Sequence, residues 1–190
     1  MKPLVAVIVV SVLVSPARPQ GTCPASLPNE FKLELIRLGT ETVTDKGGTS
    51  VKRVYGDIAV NNVNFGRFYE NPAVMIPTGT YVGALRYQSN HNFVLSSCGA
   101  AARRGDFLIE VSGVRDGSGN ARSDILFHPG ELPSQSRGCI LFGARKRDAA
   151  GELLPLGPDY PLAKIRREFY GTDDPLQCPN KRITIVVSSR

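Results

Sequence analysis

The sequence predicts a mainly β fold, a sandwich or partly open barrel, with one helix packed on it in the C-terminal half. Two observations carry this. Apolar residues recur in short segments that alternate with polar ones, and Gly, Pro, Asn and Asp separate those segments. Only one segment has helical spacing. Residues 31–43 alternate well, with Phe31, Leu33 and Leu35 against Lys32 and Glu34, and read as a half-buried strand. Gly47-Gly48 turns the chain into a second strand over 51–60, where Gly56-Asp57 marks a kink or bulge. Pro77-Thr78-Gly79 is a turn that leads into a strand over 81–87. Residues 90–104 read equally as a short helix or a loop. A strand over 106–114 alternates imperfectly, as expected where both faces are covered, and the loop 116–120 follows it. Further strands are expected over 124–128, 138–144 and 182–188. The helix begins with Pro161 in its first turn, after Asp159 or Tyr160. It buries Leu162, Ile165 and Phe169, carries Arg166 and Arg167 in its later half, and ends at Gly171.

The chain opens with Lys2, an apolar run over 4–14 and a small-residue stretch, S-P-A-R-P-Q-G. That is the pattern of a secretory signal peptide, and the run falls short of the about 20 residues a bilayer span needs. Residues 1–21 are therefore expected to be removed, with cleavage near Ala17 or Gly21. Residues 22–190 are expected to form a single β-rich secreted domain with a core of its own. No later stretch resembles a membrane span. The formal net charge is +6, and loss of Lys2 lowers it by one. This modest basic excess suits an anionic extracellular polymer. The basic residues are too scattered, and the aromatics too few, for a nucleic-acid surface.

Four cysteines follow the leader: Cys23, Cys98, Cys139 and Cys178. An even count in an exported chain reads as disulfides, with three full pairings open. Cys23 and Cys178 lie near the two ends of the expected domain and suit a terminal staple. Cys98 and Cys139 then either pair or remain thiols. The chain has no C-x-x-C spacing and only two histidines, so neither a zinc site nor any other cofactor is expected.

The segment I-L-F-H-P-G-E-L-P-S-Q-S-R-G-C-I-L-F-G, residues 125–143, holds the candidate chemistry. His128 ends one apolar run, Cys139 begins the next, and ten residues join them. Pairing of the two runs would bring imidazole and thiol side by side, a layout from which a cysteine nucleophile is built. Gly138 would let a substrate backbone approach, and N–H groups after it would stabilise an oxyanion. Gly130 is similarly permissive, and Ser136 is a candidate orienting hydroxyl. The competing reading is structural: His128 caps a strand, and Cys139 is buried or bridged, with Cys98 as the partner.

H-P-G followed by S-R-G-C-I resembles the L,D-transpeptidase signature, a histidine-glycine pair ahead of an S-H-G-C nucleophile segment. The resemblance implies a β-rich acyltransferase acting on cell-wall peptide, with His128 as base, Cys139 as nucleophile and Gly138 in the oxyanion site. Arg137 replaces the histidine usual before that glycine, and the gap between His128 and Cys139 is shorter than in that family. A closer resemblance is to a small domain of unassigned activity found in phage and bacterial proteins. That domain shares a Leu-x-x-x-Arg strand (Leu33 to Arg37), an I-P-x-G-x-Y turn (Ile76 to Tyr81) and the His-to-G-C-I spacing with a later glycine, Gly143. It covers residues 31–143 and implies a fold and a site, but no activity.

Other motifs are weaker. Arg104-Gly105-Asp106 spells an integrin-type adhesion tripeptide but leads straight into a strand. His91 reads as a solvent-facing loop residue. Arg145-Lys146-Arg147 reads as an exposed charged loop, with a processing site or a polyanion contact as the alternatives. Asp173 and Asp174 lack the ligand count for calcium. Two functions compete on these grounds. One is a secreted, non-catalytic matrix component or binding module for anionic polymer, in which Cys139 is oxidised. The other is a cysteine acyltransferase or amidase of L,D-transpeptidase type acting on cell-wall peptide, in which Cys139 is free and within reach of His128.

Overall fold

The structure is a computed structural model and describes residues 30–89, 92–95, 108–144, 146, 148–151, 157, 159–171 and 181–190. In order, the elements are β1 (Glu30–Thr44), β2 (Ser50–Val60), β3 (Val63–Glu70), β4 (Gly79–Ser89), β5 (Asn92–Leu95), β6 (Leu108–Ser112) and β7 (Leu126–His128). A 3-10 turn (Pro133–Gln135), β8 (Ile140–Leu141), helix α1 (Pro161–Tyr170) and β9 (Arg182–Ser189) follow. The strands form one sheet in the order β5-β4-β6-β7-β8-β3-β2-β1-β9.

The fold is mainly β with one described helix, as the alternating segments predict, and the sheet closes fully. β9 pairs in parallel with β1 from Glu30↔Arg182 to Arg37↔Ser189. Its other edge pairs antiparallel with β4 from Gly79↔Val187 to Gly83↔Ile183, which makes an eight-stranded barrel. β4 has length to spare: residues past its β9 pairing take β6 on one side and β5 on the other. The alternation predicted for β1 sends Phe31, Leu33 and Leu35 inward, and Ile58, Val60, Ile183, Ile185 and Val187 meet them there. β6 is buried on both faces from Leu108 to Val111, which is why its alternation is imperfect.

β3 is absent from the predicted strands. Asn61 and Asn62, with φ of 47° and 69°, make the two-residue turn that joins β2 to it. Gly56 is required where β2 meets β3, because a Cβ there would collide with Ile36 O and the Phe68 ring. The register of the β1–β2 pair shifts between Arg37 and Gly39, opposite the predicted kink at Gly56-Asp57.

The barrel has two unlike ends. At the start of β1, α1 lays Leu162, Ile165, Phe169 and Tyr170 onto the core, and Phe169 meets Phe31 edge to face at 5.2 Å between centroids. The helix starts at Pro161 and stops at Gly171, where the sequence places those ends. Further along β1, the inward position falls to a charge. Arg37 is only 6% exposed and Glu70 only 1%. Arg37 donates through Nε to Glu70 Oε2 at 2.7 Å and through Nη2 to Glu70 Oε1 at 2.9 Å. Nη2 also donates to Ile76 O. The Leu33-to-Arg37 spacing noted in the sequence is therefore a core strand that ends in a buried ion pair.

Glu70→Ala should destabilise the fold by about 3–5 kcal/mol, because it strands a buried guanidinium, and Arg37→Met with Glu70→Leu should cost less than that single change. Urea unfolding of the three chains checks the order.

Candidate functional site around Cys139

β7 and β8 do lie together, and they are parallel: Phe127 pairs with Ile140 and His128 with Leu141. Cys139 therefore falls level with Leu126, two positions from His128. Its Sγ accepts the Leu126 N–H at 3.5 Å and donates to the Asp124 carbonyl at 3.5 Å. Both contacts lie upstream of His128 on the same segment. The imidazole turns to its own neighbour, with Nδ1 at 2.7 Å from Pro129 O. A carbonyl only accepts, so Nδ1 carries the proton and Nε2 offers a lone pair. Neither side chain hydrogen-bonds the other.

Electrostatics keeps both groups neutral. Burial pushes the His128 pKa below its usual value, opposed by the Pro129 carbonyl. Burial pushes the Cys139 thiol up, and the Leu126 N–H and the Arg122 charge offset only part of this. Cys139 stands as a free thiol, one of the two fates the sequence left open for it. The other disulfide candidates, Cys23, Cys98 and Cys178, lie outside the described residues.

The connection from His128 to Ile140 is short for a parallel crossover, which needs a dozen or more residues. Side chains make up the shortfall. Asn71 Nδ2 donates to Pro133 O and Ser136 O, at 3.1 and 3.2 Å. Arg53 donates to Glu131 O at 2.8 Å while it pairs with Glu41 and lies 3.9 Å from the Tyr69 ring centroid. Gln135 Oε1 takes the N–H groups of Glu131 and Leu132, each at 2.9 Å. Gly130 and Gly143 exchange both backbone hydrogen bonds, and Tyr160 Oη donates to Gly143 O at 2.6 Å.

Ser136 and Gly138 hold the loop rather than facing a substrate. Ser136 is buried; its Oγ donates to Cys139 O at 2.8 Å and accepts the Gly138 N–H at 3.0 Å. That N–H is thus occupied by Ser136. Gly138 has φ of 116°, and a Cβ there would overlap Arg122 Nη2 and come 2.9 Å from Val74 O. Arg122 occupies the space that the missing side chain leaves, with Nη2 2.9 Å from both Val74 O and Arg137 O. It ties the loop after β3 to the loop before β8. Sequence reasoning gave none of Arg53, Asn71, Arg122, Gln135 and Tyr160 a role at this site: Gln135 takes only local backbone N–H groups, and the others reach distant segments through backbone carbonyls.

Arg104, Gly105 and Asp106 lie outside the described residues, as do His91, Arg145, Arg147, Asp173 and Asp174. Among the described residues no three His, Cys, Asp or Glu side chains converge to hold a metal ion, and no helix is long and apolar enough to cross a membrane. The chain matches no family model, no curated protein and no solved structure.

Gly138→Ala should cost about 2–4 kcal/mol, from overlap and from the positive φ. In an Arg122→Ala background the same change should cost at least about 1 kcal/mol less, because the overlap with the guanidinium is gone while the approach to Val74 O remains. A double-mutant cycle by denaturation checks this. His128 gives a pH signature. Its folded pKa is depressed, so its contribution to stability is complete above the unfolded value near 6.5, begins to fall below it and is lost as pH falls through the lower folded pKa. Stability of the parent chain should decline from pH 7.5 to 5.5 more than that of His128→Gln, as read by urea midpoints across the range.

Proposed function

We propose that this chain is a secreted, non-catalytic extracellular binding module whose basic surface engages anionic polymer. The observation that carries the reading is the engagement of the Cys139 sulfur. Its hydrogen bonds run to Asp124 and Leu126 and none runs to His128, and burial holds the thiol above its usual pKa. A nucleophilic cysteine needs the opposite, a thiolate stabilised by a base or cation. The Gly138 N–H, spent on Ser136, leaves one fewer donor for an oxyanion. The basic excess of the chain supports the polymer as partner, and the leader-like N-terminus supports export. The module requires no disulfide at Cys139, because side-chain bonds already hold this loop.

A second reading has one observation in its favour. The Nδ1–H of His128 is fixed on Pro129 O, which leaves Nε2 unprotonated, the tautomer that a general base requires. With the resemblance to L,D-transpeptidases, this favours an acyltransferase acting on cell-wall peptide, with Cys139 as nucleophile and His128 as base. In that reading the sulfur must swing away from Asp124 when substrate binds.

Alkylation of the native chain by iodoacetamide at pH 7 separates the two. The binding-module reading expects Cys139 to react at least about tenfold more slowly than a free cysteine, with the His128→Gln rate unchanged. Fast labelling that His128→Gln abolishes would establish the acyltransferase reading instead.

A further inference from the structure

We propose that the open edge of Arg122, with the exposed Arg137 on the adjoining turn and the apolar side chains of Val74 and Met75 beside it, is a subsite for the carboxylate of a uronic acid residue in an acidic polysaccharide. This deepens the polymer-binding reading and rests on it for the class of ligand.

Arg122 is half-buried, and only its Nη2 is engaged, on the two carbonyls that lock it over Gly138. Nε–H and both Nη1–H groups make no hydrogen bond, and no carboxylate pairs with the guanidinium. After the Asn120 hydrogen bonds, the Arg122 charge helps to lower the Asp116 pKa, but the two groups form no ion pair. Asp116 accepts from Ser118 N, Asn120 N and Asn120 Nδ2 within its own turn, and Asp124 accepts from Ser123 Oγ. A guanidinium that is fixed but unpaired loses little side-chain entropy on binding and meets a planar carboxylate with directed donors. Val74 and Met75, 36% and 40% exposed, lie on the segment whose carbonyl Arg122 holds. In the proposed subsite these exposed apolar residues would meet the C–H face of the sugar ring. A site of this composition favours a carboxylate on a ring over a bare inorganic anion.

The test uses the full chain with selectively labelled arginine. Glucuronate, an oligogalacturonate, a neutral dextran and a short acidic peptide are titrated separately while the Arg122 Nε–Hε signal is followed by NMR. Affinity for the oligogalacturonate is measured in parallel for Arg122→Gln, Arg122→Lys and the distant exposed control Lys46→Gln. The subsite predicts that both uronates move the Arg122 signal and dextran does not. It predicts that Arg122→Gln loses about tenfold in affinity, that Arg122→Lys recovers part of it, and that Lys46→Gln changes it less than about twofold. If oligogalacturonate binds the parent chain but leaves the Arg122 signal still and spares Arg122→Gln, the subsite falls and the polymer reading stands. If glucuronate moves the signal while the oligomer shows no binding, the subsite stands and the polymer reading falls. Tighter binding of the acidic peptide than of either uronate overturns the sugar assignment. The parent-chain signal decides the matter even if Arg122→Gln fails to fold.

Discussion

The insertion of β9 between β1 and β4 is the constraint on which the rest of the barrel depends. Without that strand β1 and residues 79–83 of β4 would be free edges of an open sheet. The pairings it makes are long in sequence, Glu30 with Arg182 and Gly83 with Ile183. Closure therefore costs much loop entropy before any contact offsets it, and it waits on the last strand. The interior is arranged to make that closure specific. One end is sealed by aromatic packing between α1 and β1, and deeper in the barrel a bidentate arginine–glutamate pair ties β1 to β3 across β2.

Opposite this strong seam lies a weak one. β8 is two residues long, meets β3 through the single pair Tyr69↔Leu141, and meets β7 through two. A barrel wall this thin in backbone bonds is held by side chains that reach across it. Arg53, Asn71, Arg122 and Tyr160 all donate to carbonyls of the segment that runs from Glu131 to Gly143. The same tightening draws the thiol into the wall. The histidine and the cysteine share a seam and yet face different partners.

Much of the fold was legible because its physics is local. β1, β2, β4, β9 and α1 fall where alternation, turns and caps predict, within a residue or two at most ends. β3 escaped because Gly66 and Arg67 interrupt its alternation and its last inward position is a glutamate, which only a buried arginine from another strand can satisfy. The expected strands over 124–128 and 138–144 shrank to three and two residues. Backbone turns at Asp124, with φ of 57°, and at Gly138 end them early. Cys139 and His128 were found by residue type and spacing, whereas their two-residue offset is set by pairing register, which spacing does not encode. The clamps were invisible for the same reason: Arg122 and Val74 lie 48 positions apart, and the arginine meets only a carbonyl there, a group every residue carries.

The interlock of Arg122 with Gly138 has a consequence for how sequences of this kind can diverge. A side chain added at 138 needs the guanidinium gone, and a smaller residue at 122 leaves a gap that only a bulkier neighbour can fill. A descendant that keeps the arginine is thus expected to keep the glycine, and one that has filled position 138 is expected to have lost the arginine. That paired inheritance would mark kinship between distant chains better than the histidine or the cysteine, since each of those can be replaced without disturbing the other.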